Sequence, residues 1–152
     1  MKLAEALLLR ADLQKKLASL QVRVQKYVVV QEGERPAEDP QAIFRQIETV
    51  ADELQRLVFA INRANLHNKI KTGESLTEAL AKRDSLALRH RILQSVVDVC
   101  AKPPERYGMK EIRWVTTVDV AQIQSEVDGL AKQIREMNAA IQEAGWQVEL
   151  VQ

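Results

Sequence analysis

Six polar residues interrupt the apolar stripes of this sequence and have side chains that could carry chemistry. They are Arg10, Asp12, Asn62, Asn65, Arg83 and Asp84. A charged side chain within an apolar stripe requires a partner, and carboxylates or amides can provide one. We therefore predict a buried polar cluster that fixes helix register or oligomeric state, so that Arg10, Asn62 and Asp84 matter to folding or assembly. A ligand pocket built from the same six side chains is the alternative.

Known catalytic and metal-binding patterns are absent from the sequence. It contains no glycine-rich phosphate loop and no HExxH, CxxC or GxSxG pattern. His67 and His90 each lack a second histidine at helical spacing, so neither is expected to bind a metal. Cys100 is the single cysteine, which excludes a disulfide within one chain and fits a reducing, cytoplasmic location. We predict no catalytic residue, no metal and no cofactor, and we favour a protein that is not an enzyme.

The charge balance argues against nucleic acids and membranes as partners. The sequence has 22 lysines and arginines and 21 acidic residues, a net charge of +1, which offers little counterion release at a phosphate backbone. The basic residues between Lys82 and Arg91 are interpreted as a solvated helix face. No segment approaches the roughly 20 apolar residues of a membrane span. Glu5 interrupts the apolar run near the N-terminus, so an export signal is not predicted.

Four long helices are predicted to position the six polar residues. Prolines and glycines divide the sequence into periodic segments, which lie at about 2–31, 40–71, 75–101 and 119–144. Within each segment apolar residues recur at steps of three and four, the spacing of one helix face. Hydrophobic residues make up 46% of the chain but aromatics only 4%, so the core must be aliphatic, as suits close-packed helices.

Cap and turn residues indicate where these helices begin and end. Asp39 can cap the second helix, with Pro40 in its first turn. Ser75 and Glu78 have the spacing of a capping box at the start of the third helix. Gly145 is placed as the C-terminal cap of the fourth helix.

Two segments have the alternation of strands. Ile112 and Trp114 alternate with charged residues in the segment at about 109–118, which predicts a short extended or β arm. The tail at 146–152 alternates in the same way and is a candidate C-terminal strand. With the helices, these segments predict a single all-α domain over 1–152: an antiparallel bundle of four long helices with coiled-coil-like packing and a minor arm between helices three and four.

Apolar residues beyond one stripe per helix predict a homo-oligomer. Leucines occupy positions 7–9 of the first helix, and Phe59, Leu66 and Ile70 lie on the second. A slender monomer would expose much of this surface, and such surfaces mark interaction sites.

Several fragments carry a family resemblance: MKLAEALLLRADLQKKL, VQEGERPAEDP, INRAN, LTEALAKRD, EIRWVTTVD and IQEAGW. Their order and spacing resemble the septicolysin-like family of small bacterial helical proteins, over nearly the whole chain. The resemblance implies a helical fold of uncharacterised function and supplies no functional residue. The family name suggests a pore-forming toxin, although the sequence has no long amphipathic insertion strand and no tryptophan-rich tip.

Three functional hypotheses follow. The leading one is a non-enzymatic structural or interaction protein that self-associates through helix packing. The alternative is a small-molecule or metal-binding protein, with or without catalytic activity, that uses the six polar residues. A membrane-active toxin is the third and rests on the family name. A buried cavity lined by the polar residues would favour the second hypothesis, and liposome leakage would favour the third.

Overall fold

Four helices form the regular secondary structure of the residues that the computed structural model describes, 1–102 and 114–150. Their bounds are α1, Leu3–Tyr27; α2, Pro40–His67; α3, Leu76–Ala101; and α4, Val120–Gln147. The described residues contain no sheet, and the predicted all-α class is confirmed.

Contacts divide the chain into two compact units. The first unit comprises Met1–Lys69 and Gln142–Gln152, and the second comprises Ile70–Ile141. The first therefore holds α1, α2 and the last turns of α4, whereas the second holds α3 and the rest of α4. The organisation as a single domain stays a prediction.

The core of the first unit is the seam between α1 and α2. Leu13, Leu20 and Val24 of α1 form one buried cluster with Ile43 and Val50 of α2. Within each helix these residues are four or seven positions apart, a spacing that returns a side chain to the same helix face, as the periodicity of the sequence predicts. Full burial of such a side chain stabilises the fold by roughly 1.5–3 kcal/mol.

An ion pair fixes the connector between α1 and α2. Arg23, near the end of α1, pairs with Glu38, which lies just before α2. The end of one helix therefore lies beside the start of the next, and the two helices run antiparallel, as short connections require.

Two helix starts have the caps that the sequence predicts. Asp39 Oδ1 accepts a hydrogen bond from the backbone N–H of Gln41 at 3.0 Å, and Pro40 is the first residue of α2. Ser75 Oγ accepts from the backbone N–H of Glu78 at 3.2 Å, and the Ser75 N–H donates to Glu78 Oε2 at 2.7 Å. Each cap satisfies an amide that the helix leaves unpaired, which is worth about 1 kcal/mol.

The first two helices end earlier than predicted. α1 ends at Tyr27, not near residue 31, because the valines at 28–30 are β-branched and lose side-chain freedom in a helix. α2 ends at His67, not near residue 71. The next residue, Asn68, takes an extended conformation, and its side-chain amide donates to the carbonyl oxygen of Ala64 at 2.9 Å.

The fourth helix extends beyond its predicted end, so the prediction of Gly145 as its cap was wrong. Gly145 is buried within α4, which continues to Gln147. A Cβ atom placed on Gly145 would lie 3.8 Å from the Cβ of Ala4 in α1. The glycine therefore marks a position where α4 passes close to α1, and both helices present small residues there.

The predicted arm is not a strand where the structure describes it. Residues 114–118 are exposed and irregular, and residues 109–113 lie outside the described residues. An exposed segment bonds its backbone groups to water, so alternation alone does not produce a strand.

The predicted C-terminal strand is reduced to one β-bridge. Residues 146 and 147 are helical, residues 151 and 152 lie outside the described range, and an antiparallel bridge joins Lys2 to Glu149. The Leu3 N–H donates to the Val148 carbonyl oxygen at 2.9 Å, and the Leu150 N–H donates to that of Met1 at 3.0 Å. We call this pairing of the two chain ends the terminal clasp.

The second unit buries one side of α3 and part of α4. Leu76, Ala79 and Leu86 of α3 are buried, as are Val127 and Leu130 of α4. In both helices charged residues recur between the apolar ones. Among the described residues no helix combines the length and apolarity that crossing a membrane requires.

Candidate interaction surface

The third helix carries an exposed stripe at coiled-coil spacing. Its residues recur at steps of four and three, and we call them the outer stripe: Ala81, Ser85, Leu88, Ile92, Ser95 and Val99. All six are exposed, and the three large members are 48%, 53% and 69% accessible at Leu88, Ile92 and Val99. A regular row in which four of six exposed residues are aliphatic differs from single apolar residues scattered over a surface, which need no explanation.

The opposite side of α3 carries a second stripe with the same spacing. Its members are buried or half-buried, and we call them the inner stripe: Ala79, Arg83, Leu86, His90, Leu93, Val97 and Cys100. Leu86 and Leu88 are two residues apart, which places them about 200° apart around the helix at 3.6 residues per turn. α3 is therefore apolar on two opposite faces, and a helix with apolar residues on all sides is normally covered on all sides.

The hydroxyl group in the middle of the outer stripe is already satisfied. Ser95 Oγ donates a hydrogen bond to the carbonyl oxygen of Ile92, one turn earlier, at 2.7 Å. A partner surface that covers Ser95 therefore leaves no hydroxyl donor unpaired, and burial of the serine avoids the cost of an unsatisfied polar group.

One edge of the outer stripe alternates in charge. Asp84, Arg91 and Asp98 follow one another at seven-residue spacing. Asp84 is held by the adjacent Arg83 at 2.6 Å, and Asp98 accepts a hydrogen bond from the side-chain amide of Gln94 at 3.0 Å. Arg91 forms no ion pair within residues 1–102 and 114–150. The edge thus offers a cation and an anion to a neighbouring surface.

The last turns of the outer stripe border a groove of about 520 Å³. Its walls are the end of α3 and the segment 114–118 before α4, and its α3 side is formed by Ser95, Val96, Val99 and Cys100. Trp114 and Val115 of the segment are exposed. The outer stripe and the groove therefore form one continuous apolar surface within the second unit.

The first unit has a separate groove of about 480 Å³. Its apolar lining comes from α1, α2 and the terminal clasp: Met1, Leu9, Leu57, Phe59, Ala60 and Leu150. Arg63 lies over the ring of Phe59, 6.0 Å from the ring centroid, and Glu53 and Arg56 also line the groove. Phe59 and Leu66 are exposed, as the prediction of apolar surplus on α2 requires, whereas Ile70 is buried.

The six predicted polar residues have different surroundings. Within the first unit, Arg10 is half-buried, with a buried Nε that has no hydrogen-bond partner in the described chain, and Asn65 is half-buried. Asp12 and Asn62 are exposed, and Asp12 pairs with Lys15 at 3.8 Å instead of with Arg10.

The other two of the six lie in the second unit. Arg83 is half-buried on the inner stripe and pairs with the exposed Asp84. No polar or charged residue among those described is fully buried. The action of the six as a cluster stays a prediction.

Shifted pKa values occur at structural ion pairs of the first unit. The hydrogen bond from Arg23 lowers the pKa of the Glu38 carboxyl, and Glu38 in turn raises the pKa of Arg23. The hydrogen bond from Lys2 lowers the pKa of Glu149, with a further contribution from its charge. The described residues contain no group of three or more potential metal-ligating side chains. These shifts therefore reflect pairs that hold the α1–α2 connector and the terminal clasp in place.

The comparison with known proteins identifies a family and a similar solved structure. The model of a family of unknown function, DUF6847, matches residues 10–150. The crystal structure of a functionally unknown conserved protein from Corynebacterium diphtheriae has a TM-score of 0.92 and 34% sequence identity, and the match covers 99% of each chain. No curated protein matches the chain.

These findings correct the resemblance drawn from the sequence. Neither match points to a septicolysin-like family, so that assignment was wrong. The fragments behind it are short amphipathic and turn strings, which helical packing favours in unrelated chains. The matched region covers most of α1 and all of α2, α3 and α4, and the chain belongs to DUF6847, a family of unknown function.

Proposed function

We propose that this protein is a non-enzymatic interaction protein that self-associates through helix packing in the cytoplasm. The observation that carries the proposal is the outer stripe of α3, an exposed row of four aliphatic residues and two serines opposite a row that is buried or half-buried. Exposed apolar surface is stabilised by burial at about 25 cal/mol per Å², so association with a matching surface is favourable. The half-buried thiol of Cys100 suits a reducing compartment.

A second copy is the simplest partner because an interface with two-fold symmetry uses the same patch twice. Most oligomers of one chain are built in this way. The near-neutral charge of the chain, +1, adds little long-range repulsion between copies.

Sedimentation equilibrium of the purified chain tests the proposal. We expect the average mass to rise above the 17.2 kDa of one chain toward twice that value as the concentration increases from micromolar to about millimolar, a range that covers moderate affinities. A mass that stays at one chain over the whole range would refute self-association. Native mass spectrometry of gel-filtration fractions would also detect any small molecule that the protein retains.

A further inference from the structure

We propose that the outer stripe of α3 binds the outer stripe of a second copy in an antiparallel, two-fold coiled coil. This inference rests on the proposed self-association, and it specifies which surface the two copies share and how their α3 helices are oriented. The residues of the stripe recur at the heptad steps that keep one face toward a partner helix, and the proposed contact pairs the four from Leu88 to Val99, over about 16 Å of helix axis.

Side-chain volume favours the antiparallel direction. An antiparallel pair centred between Leu93 and Gln94 places Ile92 against Ser95 of the second copy, and Leu88 against Val99. Each central layer then combines a large side chain with a small one, and the outer layers combine two aliphatic ones, which fills the seam evenly. A parallel pair would instead stack Ser95 on Ser95 and Ser85 on Ser85, and a layer of two small side chains leaves a void.

Charge complementarity favours the same direction. In the antiparallel register the edge residues Arg91 and Asp98 face the Asp98 and Arg91 of the second copy, so that two reciprocal ion pairs form. Arg91 has no ion pair of its own in the described chain, whereas Asp84, which a parallel pair would use, is already held by Arg83. Exposed ion pairs contribute little affinity, but they select orientation and register.

The groove beside Val99 provides space for the far end of the partner helix. In the antiparallel register, Leu88 of the second copy arrives at Val99, where the apolar surface continues into the groove lined by residues 114–118. The contact would therefore extend beyond two helices, and the same extension occurs at both ends because of the two-fold axis.

Cysteine cross-linking tests the orientation directly. In a Cys100→Ser background we would prepare chains with Leu88→Cys and chains with Val99→Cys, and oxidise each alone and in an equimolar mixture. A disulfide requires Cα atoms about 5.5 Å apart. The antiparallel seam predicts covalent dimers in the mixture, whereas either variant alone would leave its two cysteines about 16 Å apart along the seam. Covalent dimers in both single-variant samples would show a parallel seam and overturn the orientation.

Two matched lysine variants test the surface itself. Val99 and Val22 are exposed to nearly the same extent, 69% and 67%, but only Val99 lies on the outer stripe. We expect Val99→Lys to weaken dimerisation by about tenfold or more, since it places a charge in the seam, and Val22→Lys to leave it unchanged. Circular dichroism would verify that both variants keep the helical signal of the parent chain.

A charge exchange completes the test. Arg91→Asp should weaken the dimer several-fold, and adding Asp98→Arg in the same chain should restore it, because the reciprocal pairs then form with opposite polarity. If the parent chain dimerises while Val99→Lys dimerises equally well, the outer stripe is not the interface and self-association uses another face. If the parent chain stays monomeric, both this inference and the proposed function fail.

Discussion

The seam between α1 and α2 and the outer stripe of α3 use the same spacing of apolar residues with opposite results. In the first unit, Leu20 of α1 and Ile43 of α2 are almost completely buried in a shared core. In the second unit, Leu88 and Ile92 have the same side chains as these residues and the same helical period, yet they are exposed. The difference lies in whether the chain itself supplies the matching stripe.

This comparison separates two roles for apolar residues. A leucine in a seam closed by its own chain contributes to the free energy of unfolding at any protein concentration, because its burial accompanies folding. A leucine on an unmatched stripe contributes only when a second molecule covers it, so its effect depends on concentration. Measurements at low and high concentration can therefore assign each leucine to one role.

Truncating one leucine in each region should give the largest difference in the free energy of unfolding. Leu20→Ala removes buried methyl groups from the α1–α2 core and should lower the free energy of unfolding by about 2–5 kcal/mol. Leu88→Ala should change it by less than about 0.5 kcal/mol in dilute protein, because the residue is exposed there. Urea denaturation followed by circular dichroism at low micromolar concentration measures both. Equal losses in the two variants would mean that Leu88 is covered within the monomer.

Sequence reasoning succeeded for the buried faces of α1 and α2 and for the starts of two helices. The stripes of α1 and α2 and the caps at Asp39 and Ser75 are confirmed, because periodicity and capping are local properties. In α3, apolar residues at helical spacing occur on both faces: Leu93 and Val97 are half-buried, whereas Ala87 and Leu88 are exposed. With apolar residues on two faces the periodic signal is blurred, although the steps from Ala81 to Val99 could have revealed the outer stripe.

Other features depended on packing that local sequence does not encode. A glycine near a helix end fits a C-terminal cap and also fits close packing between helices, and only the approach of Ala4 distinguishes the two at Gly145. The surroundings of the six polar residues also depend on packing, because an arginine within an apolar stripe can turn its guanidinium toward water instead of toward a partner. Arg10 is half-buried with a buried Nε, and Asp12, the nearest carboxylate in the sequence, forms its ion pair with Lys15.

Arg10, which interrupts the apolar stripe of α1, provides a second test of how the first unit is stabilised. Its Nε is buried without a hydrogen-bond partner in the described chain, and an unsatisfied buried donor costs about 1–3 kcal/mol. Arg10→Met removes that donor and keeps the aliphatic length, so we expect it to raise the free energy of unfolding by up to about 1 kcal/mol, given the lost solvation of the charge. Arg10→Ala, which also removes the packed stem, should lower it.

Thermal denaturation of both variants measures these opposite shifts. Lys16→Met, on the same helix at an exposed position, is the control for adding a methionine to α1. A loss of stability in Arg10→Met as large as in Arg10→Ala would indicate that the guanidinium has a favourable role in the fold, as the predicted polar cluster requires.

We expect the smallest effect from removing the ion pair of the terminal clasp, and this effect depends on pH. Lys2 Nζ lies 2.8 Å from Glu149 Oε1, and this hydrogen bond lowers the pKa of Glu149 below the ordinary value of a glutamate. The folded chain therefore favours the carboxylate, so the contribution of the pair is present above the ordinary glutamate pKa of about 4.3 and is lost as the pH falls through the lowered value. Glu149→Gln should accelerate amide exchange at Leu3 and Leu150, whose N–H groups close the clasp, and the difference from the parent chain should shrink at acidic pH.

Hydrogen exchange detected by NMR between about pH 3 and pH 6 covers this window, with exposed Glu126→Gln as the control. Equal exchange in parent and Glu149→Gln chains at pH 6 would show that the backbone hydrogen bonds hold the chain ends together without the ion pair.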